Sequence, residues 1–132
     1  MTDPISQQWE ESQRNIPVLY LLSPGADPTN NIDEFAKKKK QFPTAKVSMG
    51  EEMEKPALEM VKAGFLTGKW VILNNCHLSL EFMAQMEEIL NPKGQEIHEE
   101  FRLWITCEPH PEFPLGLLQM AIKVTTEPPK GL

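Results

Sequence analysis

The stretch Ser23-Pro24-Gly25-Ala26-Asp27-Pro28-Thr29 lies between an apolar run and a helical pattern, where a backbone loop can wrap a phosphate. A working loop of that kind reads G-x-x-x-x-G-K-[ST]: glycines free the backbone N–H groups, the lysine neutralises charge, and the hydroxyl holds Mg²⁺. Here Gly25 is the one glycine and no lysine follows. Asp27 instead sets a carboxylate near a helix N-terminus, where the partial positive charge would attract phosphate. Pro28 removes one of the N–H donors that phosphate needs. The loop reads first as a helix cap and second as a remnant anion site.

A second pair, Asn74-Asn75, follows the apolar run Trp70 to Leu73. Hydrolysis of a nucleoside triphosphate calls for Asp-Glu here, one carboxylate for Mg²⁺ and one to position water. Amides are neutral, bind Mg²⁺ weakly and cannot act as general bases. The two lesions are independent, and each alone disables the chemistry. The arginines are Arg14 and Arg102, neither of them in the region of the last helix and strand from which an arginine finger would reach a neighbouring nucleotide. Arg102 reads as a strand residue that pairs or snorkels.

Other constellations are weaker. Cys76 and His77 follow one strand and Cys107 and His110 another, so they could gather at one sheet end as a zinc set. The Cys-His pair is adjacent rather than spaced by two to four residues, however, and buried reduced thiols explain the cysteines. Ser23, Asp27 and His77 could form a hydrolase triad, but no G-x-S-x-G elbow accompanies them. The acidic groups Glu51, Glu52, Glu54, Glu96, Glu99 and Glu100, with His98 among them, read as solvated loop charge. No metal, cofactor or catalytic residue is expected.

The elements that must position these residues alternate. Val18 to Leu22 is a doubly buried strand; a helix then carries Ile32, Phe35 and Ala36 to the run Lys37 to Lys40, whose cations suit a helix C-terminus. Lys46 to Met49 is a weaker strand, followed by a helix with Leu58, Val61 and Phe65. Trp70 to Leu73 leads to a helix with Phe82, Met83, Met86 and Leu90 inward; Phe101 to Thr106, a short helix Pro114 to Ala121, and Ile122 to Thr126 complete the series. Strands alternating with helices of this length predict an α/β three-layer sandwich, a five-stranded parallel sheet with helices on both faces. The more polar second and fifth strands are the expected edges, giving the P-loop order 5-1-4-3-2.

At 132 residues and 40% hydrophobic, the chain holds one domain. Its net charge of −6 argues against nucleic acid as a partner. No run approaches the roughly 18–20 apolar residues of a membrane span, and Met1 to Arg14 is polar rather than signal-like, so no membrane partner is expected.

Several strings resemble the sixth AAA+ module of axonemal dynein heavy chains. They are Leu22-Ser23-Pro24-Gly25-Ala26-Asp27-Pro28, Gly68-Lys69-Trp70-Val71-Ile72-Leu73-Asn74-Asn75-Cys76-His77-Leu78, and Phe101-Arg102-Leu103-Trp104-Ile105-Thr106. Phe113-Pro114, Leu117-Leu118-Gln119 and Glu127-Pro128-Pro129-Lys130-Gly131-Leu132 extend the likeness to essentially everything after Pro17. Asn-Cys-His-Leu and Phe-Arg-Leu-Trp are similar to axonemal rather than cytoplasmic chains, and Ser48-Met49-Gly50 with Leu117-Leu118-Gln119-Met120 leans toward an outer arm. The chain departs from the family at Glu51-Glu52-Met53-Glu54, where a Gln-Gly-Gln segment is usual.

The resemblance implies a degenerate P-loop NTPase-like AAA+ large subdomain over residues 17–127, a polar lead-in segment or helix over 1–16, and over 128–132 the start of a connection to a helical lid. It implies a ring component that binds no nucleotide and passes on movement driven by ATP elsewhere. Ser23 to Thr29 would be the degenerate phosphate loop, Asn74 and Asn75 the degenerate Walker B pair, and Thr106 the degenerate sensor. Implied partners are neighbouring AAA+ modules, dynein subunits and, through the whole motor, microtubules, in the cytoskeleton of a cilium or flagellum. An excised subdomain would expose apolar patches normally covered by ring neighbours. The alternatives left open are a free-standing adaptor and a small hydrolase or metal-binding protein on the same plan.

Overall fold

The computed structural model describes residues 4–23, 28–50, 52–90 and 96–125. In chain order the elements are α1 (Pro4–Glu11), β1 (Val18–Leu21), α2 (Thr29–Lys38), β2 (Ala45–Ser48), α3 (Glu54–Thr67) and β3 (Val71–Asn74). A single 3-10 turn (Cys76–Leu78), α4 (Leu80–Ile89), β4 (Leu103–Cys107), α5 (Leu115–Met120) and β5 (Ile122–Thr125) follow. All pairings are parallel and the sheet order is β2-β3-β4-β1-β5, the order expected from the polarity of the strands.

Burial follows that order. All five residues of β4 are buried, whereas β2 and β5 alternate between covered and exposed positions. An edge strand packs on one face only, and Lys46 and Lys123 occupy the outward positions.

Period-two alternation divides the strand side chains between two cores. Leu19, Leu73, Leu103 and Ile105 face α3, α4 and α5, packing against Val61, Phe65, Met83, Met86 and Leu117. Val18, Tyr20, Ile72 and Trp104 face α1 and α2, where Ile32, Phe35, Ala36 and Trp70 meet them. Aromatic rings dominate this second layer: Trp70 lies 5.2 Å from Trp104 and 5.8 Å from Phe35, centroid to centroid. α1 belongs to it as well, with Ile5 buried, Trp9 edge-on to Phe35 at 5.8 Å, and Gln8 accepting the Tyr20 hydroxyl at 2.9 Å.

The strands begin and end within two residues of their expected positions. β3 runs Val71–Asn74 rather than Trp70–Leu73, and β4 runs Leu103–Cys107 rather than Phe101–Thr106, so Arg102 precedes its strand instead of lying inside it. The reason is local. The Trp70 N–H is taken by the Gln41 side chain (3.2 Å), and Arg102 folds back onto the Glu99 and Phe101 carbonyls (2.9 and 2.7 Å). α2 starts at Thr29, one residue after Pro28, whose carbonyl accepts from Ile32 N at 2.9 Å. The proposed cap Asp27 lies outside the described residues.

Gly68 ends α3 in the left-handed region (φ 81°) with its N–H on Gly64 O at 2.8 Å, a conformation that glycine adopts without penalty. Gly64 is needed for a different reason. A Cβ there would stand 2.6 Å from the Phe101 ring and 2.9 Å from the Lys69 carbonyl, so the end of α3 can approach the start of β4 only through a glycine.

Candidate functional site

The carboxyl ends of β1, β3 and β4 converge where a doubly wound sheet binds its ligand. The register sets Ser48 beside Asn74 at the ends of β2 and β3, and Leu73 beside Ile105, two residues before the end of β4. Asn74, Asn75, Thr106 and Thr29 therefore meet in space although as many as 77 positions separate them in sequence.

Asn74 Oδ1 is the centre of the arrangement. It accepts from Thr106 Oγ1 at 2.9 Å and, at the long limit of 3.5 Å, from Thr29 Oγ1 at the head of α2. Thr106 Oγ1 in turn accepts the Asn75 N–H at 3.3 Å, and Asn75 Nδ2 donates to Ser48 Oγ at 2.9 Å. The Asn74 carbonyl accepts from Met49 N at 2.8 Å. Asn75 adopts φ 58°, ψ 42°, the left-handed region that Asn tolerates better than most residues. The result is a chain of amides and hydroxyls across three strand ends and one helix start.

Chemically, the hydroxyl at the head of α2 bonds directly to the amide at the end of β3. Mg²⁺ prefers near-octahedral oxygen coordination that includes anionic carboxylate or phosphate ligands. The side chains of Asn74 and Asn75 supply neutral amide oxygens, and neither can take a proton from water. Ser23 lies two residues beyond β1, and Pro28 is buried. Pro24 to Asp27, the rest of the expected phosphate loop, lie outside the described residues.

Among the described residues, the histidines and cysteines are engaged elsewhere or buried. His77 Nδ1 accepts the Glu108 N–H at 3.0 Å and its Nε2 faces the Glu108 carboxylate at 3.3 Å, which pins the 3-10 turn to the segment after β4. His110 Nδ1 accepts from Glu112 N at 3.0 Å. Cys76 and Cys107 are free and buried. Burial, then the neighbouring Cys107, raises the Cys76 thiol against a smaller opposing effect from a backbone hydrogen bond at Thr106; burial pushes Cys107 up to about 11. Neither is a thiolate near neutrality, so neither is a ready nucleophile or metal ligand. Among the described residues, no three His, Cys, Asp or Glu side chains gather around a common point.

Sequence reasoning found Asn74, Asn75, Thr106 and Thr29 but missed two partners. Ser48 was assigned only to a polar edge strand, though its position at the end of β2 predicts a neighbour at the end of β3. Glu108, first after β4, was not singled out. The signal for both was parallel register rather than residue type.

A sequence model of the family described as the dynein heavy chain region D6 P-loop domain matches residues 13–125. The chain is 52% identical over 116 residues, 88% of its length, to the dynein gamma chain of the flagellar outer arm of Chlamydomonas reinhardtii. It is 43% identical over 136 residues, 99% of its length, to dynein axonemal heavy chain 8 of Homo sapiens. It is 36% identical over 132 residues to the dynein-1-beta heavy chain of the flagellar inner arm I1 complex of Chlamydomonas reinhardtii. The chain spans about 2–3% of the length of these relatives.

Proposed function

The chain belongs to the family of the dynein heavy chain region D6 P-loop domain, and from that premise we propose that it is a non-catalytic AAA+ ring module of an axonemal dynein heavy chain. On this reading the segment neither binds nor hydrolyses ATP. It holds neighbouring modules in place and passes on movement that ATP drives elsewhere in the parent motor. Residues 17–127 are the degenerate large subdomain, and 128–132 lead toward a helical lid. Ser23 to Thr29, Asn74 with Asn75, and Thr106 occupy the phosphate-loop, Walker B and sensor positions. The partners are adjacent AAA+ modules and dynein subunits and, through the whole motor, the microtubules of an axoneme.

One observation carries the reading: the Thr29 and Thr106 hydroxyls both donate to Asn74 Oδ1, at the strand end where a metal and its phosphate would have to enter. Opening it would cost two hydrogen bonds and return no anionic ligand to the ion. A rigid, closed strand end suits a module that transmits displacement. Calorimetric titration of the chain with Mg·ATP and Mg·ADP tests the proposal. No saturable heat is expected at nucleotide concentrations up to the millimolar range, and micromolar binding of either nucleotide would overturn it.

A further inference from the structure

At the opposite end of the sheet, a hollow of about 340 Å³ opens between α1, the end of α2 and the residues that lead into β3 and β4. Trp9, Lys39 and Arg102 line it, with Glu99 and Glu100 also present. Lys39 Nζ stands 4.2 Å from the centroid of the Trp9 ring and Arg102 Cζ stands 5.8 Å from the same centroid. Two cations thus share one indole. Among the described residues neither forms an ion pair with an acid, in contrast to Lys37 with Glu34 (3.1 Å) and Lys46 with Asp33 (3.0 Å) nearby.

Arg102 is locked in that position. Its Nη1 donates to the Glu99 and Phe101 carbonyls, and among the described residues Nη2 has no hydrogen-bond partner and Nε is buried without one. Its burial lowers the guanidinium pKa from the ordinary value, the effect of a cation partly withdrawn from water. A partly buried guanidinium that forms no ion pair is under-compensated even with acids at the rim, and an incoming carboxylate that bonds it directly would relieve that cost.

We propose that this hollow is a docking site for a single carboxylate, an aspartate or glutamate side chain of a polypeptide segment outside this chain, held between Lys39 Nζ and Arg102 Nη2 beside the Trp9 indole. Glu99 and Glu100 set the selectivity. With two acids beside two bases the hollow has little net charge, so a monoanion carried on an apolar stem is accepted, whereas a phosphate dianion or a polyanion meets repulsion at the rim. On the proposed reading the chain is one module of a heavy chain many times longer, so a segment of the same polypeptide would be presented at high effective concentration, and a weak intrinsic affinity is sufficient. The site is remote from the degenerate phosphate loop and stands whether or not nucleotide binds there.

The test is NMR of the ¹⁵N-labelled 132-residue chain, following the Trp9 indole N–H and the Arg102 side-chain N–H resonances. Three probes are compared: N-acetyl-glutamic acid α-amide, its glutamine counterpart, and inorganic phosphate. The glutamate probe should give saturable shifts at both groups, the glutamine probe none, and phosphate at least about tenfold weaker binding. Lys39→Met, at an exposed position that keeps the apolar stem over Trp9, should weaken the glutamate probe about tenfold, and Lys39→Arg should restore it. Absence of shifts, equal response to glutamine, phosphate binding as tight as glutamate, or an unaffected Lys39→Met variant would each overturn the proposal.

Discussion

The Thr106 hydroxyl both donates to the Asn74 side chain and accepts from the Asn75 backbone N–H, so it ties two neighbouring residues together at a half-buried strand end. Thr106→Val preserves shape and deletes both bonds. It should destabilise the chain by about 1–3 kcal/mol, with Thr106→Ser recovering most of the loss, as read from urea midpoints. The buried thiols give a pH prediction. Cys107 is raised to about 11 in the folded state, and Cys76 is shifted in the same direction, while unfolded thiols titrate near their ordinary value. The folded state therefore retains protons that the unfolded state releases. This contribution to stability is intact below about pH 8.5 and is lost as pH rises toward 11. Cys107→Ala should flatten that alkaline decline in a series of denaturation curves.

Elements were legible in the sequence where burial dominated and less so where one hydrogen bond decided an end. The doubly apolar runs of β1, β3 and β4 and the polar edges β2 and β5 sufficed for the sheet order, because a parallel strand's place sets how many of its faces must be apolar. Strand starts were misplaced by one or two residues at Trp70 and Arg102, whose backbone or side-chain groups are claimed by Gln41 and by loop carbonyls. No local propensity encodes such partners. The lead-in segment or helix over 1–16 was read as polar, and Ile5 and Trp9, spaced four apart, were the sign that one face of α1 packs into the core beside Phe35. At this scale Gly64→Ala is informative: alanine is the better helix former by about 1 kcal/mol, but the Phe101 ring and Lys69 carbonyl leave no room for its methyl. The clash should prevail, with a net loss of about 1–3 kcal/mol in chemical denaturation.

Across the whole molecule, the two ends of the sheet differ in character. At the carboxyl end, where P-loop proteins do chemistry, neutral hydrogen bonds link Ser48, Asn74, Asn75, Thr106 and Thr29. The amino end carries open hollows and two cations beside Trp9 that, among the described residues, form no ion pair. Phe42, Leu66, Leu78 and Leu115 are exposed large apolar residues, Leu66 at 80%, and they come from four separate segments of the chain. The likeness to dynein heavy chains was legible because its strings fall on the central strands and the loops that follow them. The hydrogen-bonded strand end was legible only in part, since Asn74 and Asn75 stand out in the sequence but the hydroxyls that bond to them do not.

The central claim is that this strand end is closed to nucleotide. It is tested most directly by adding Mg·ATP to the ¹⁵N-labelled chain and following the Asn74 and Asn75 side-chain amides together with the Thr29 and Thr106 backbone N–H groups. The predicted result is no saturable change at any of the four up to millimolar nucleotide; concerted, saturable shifts at these positions with micromolar affinity would contradict it.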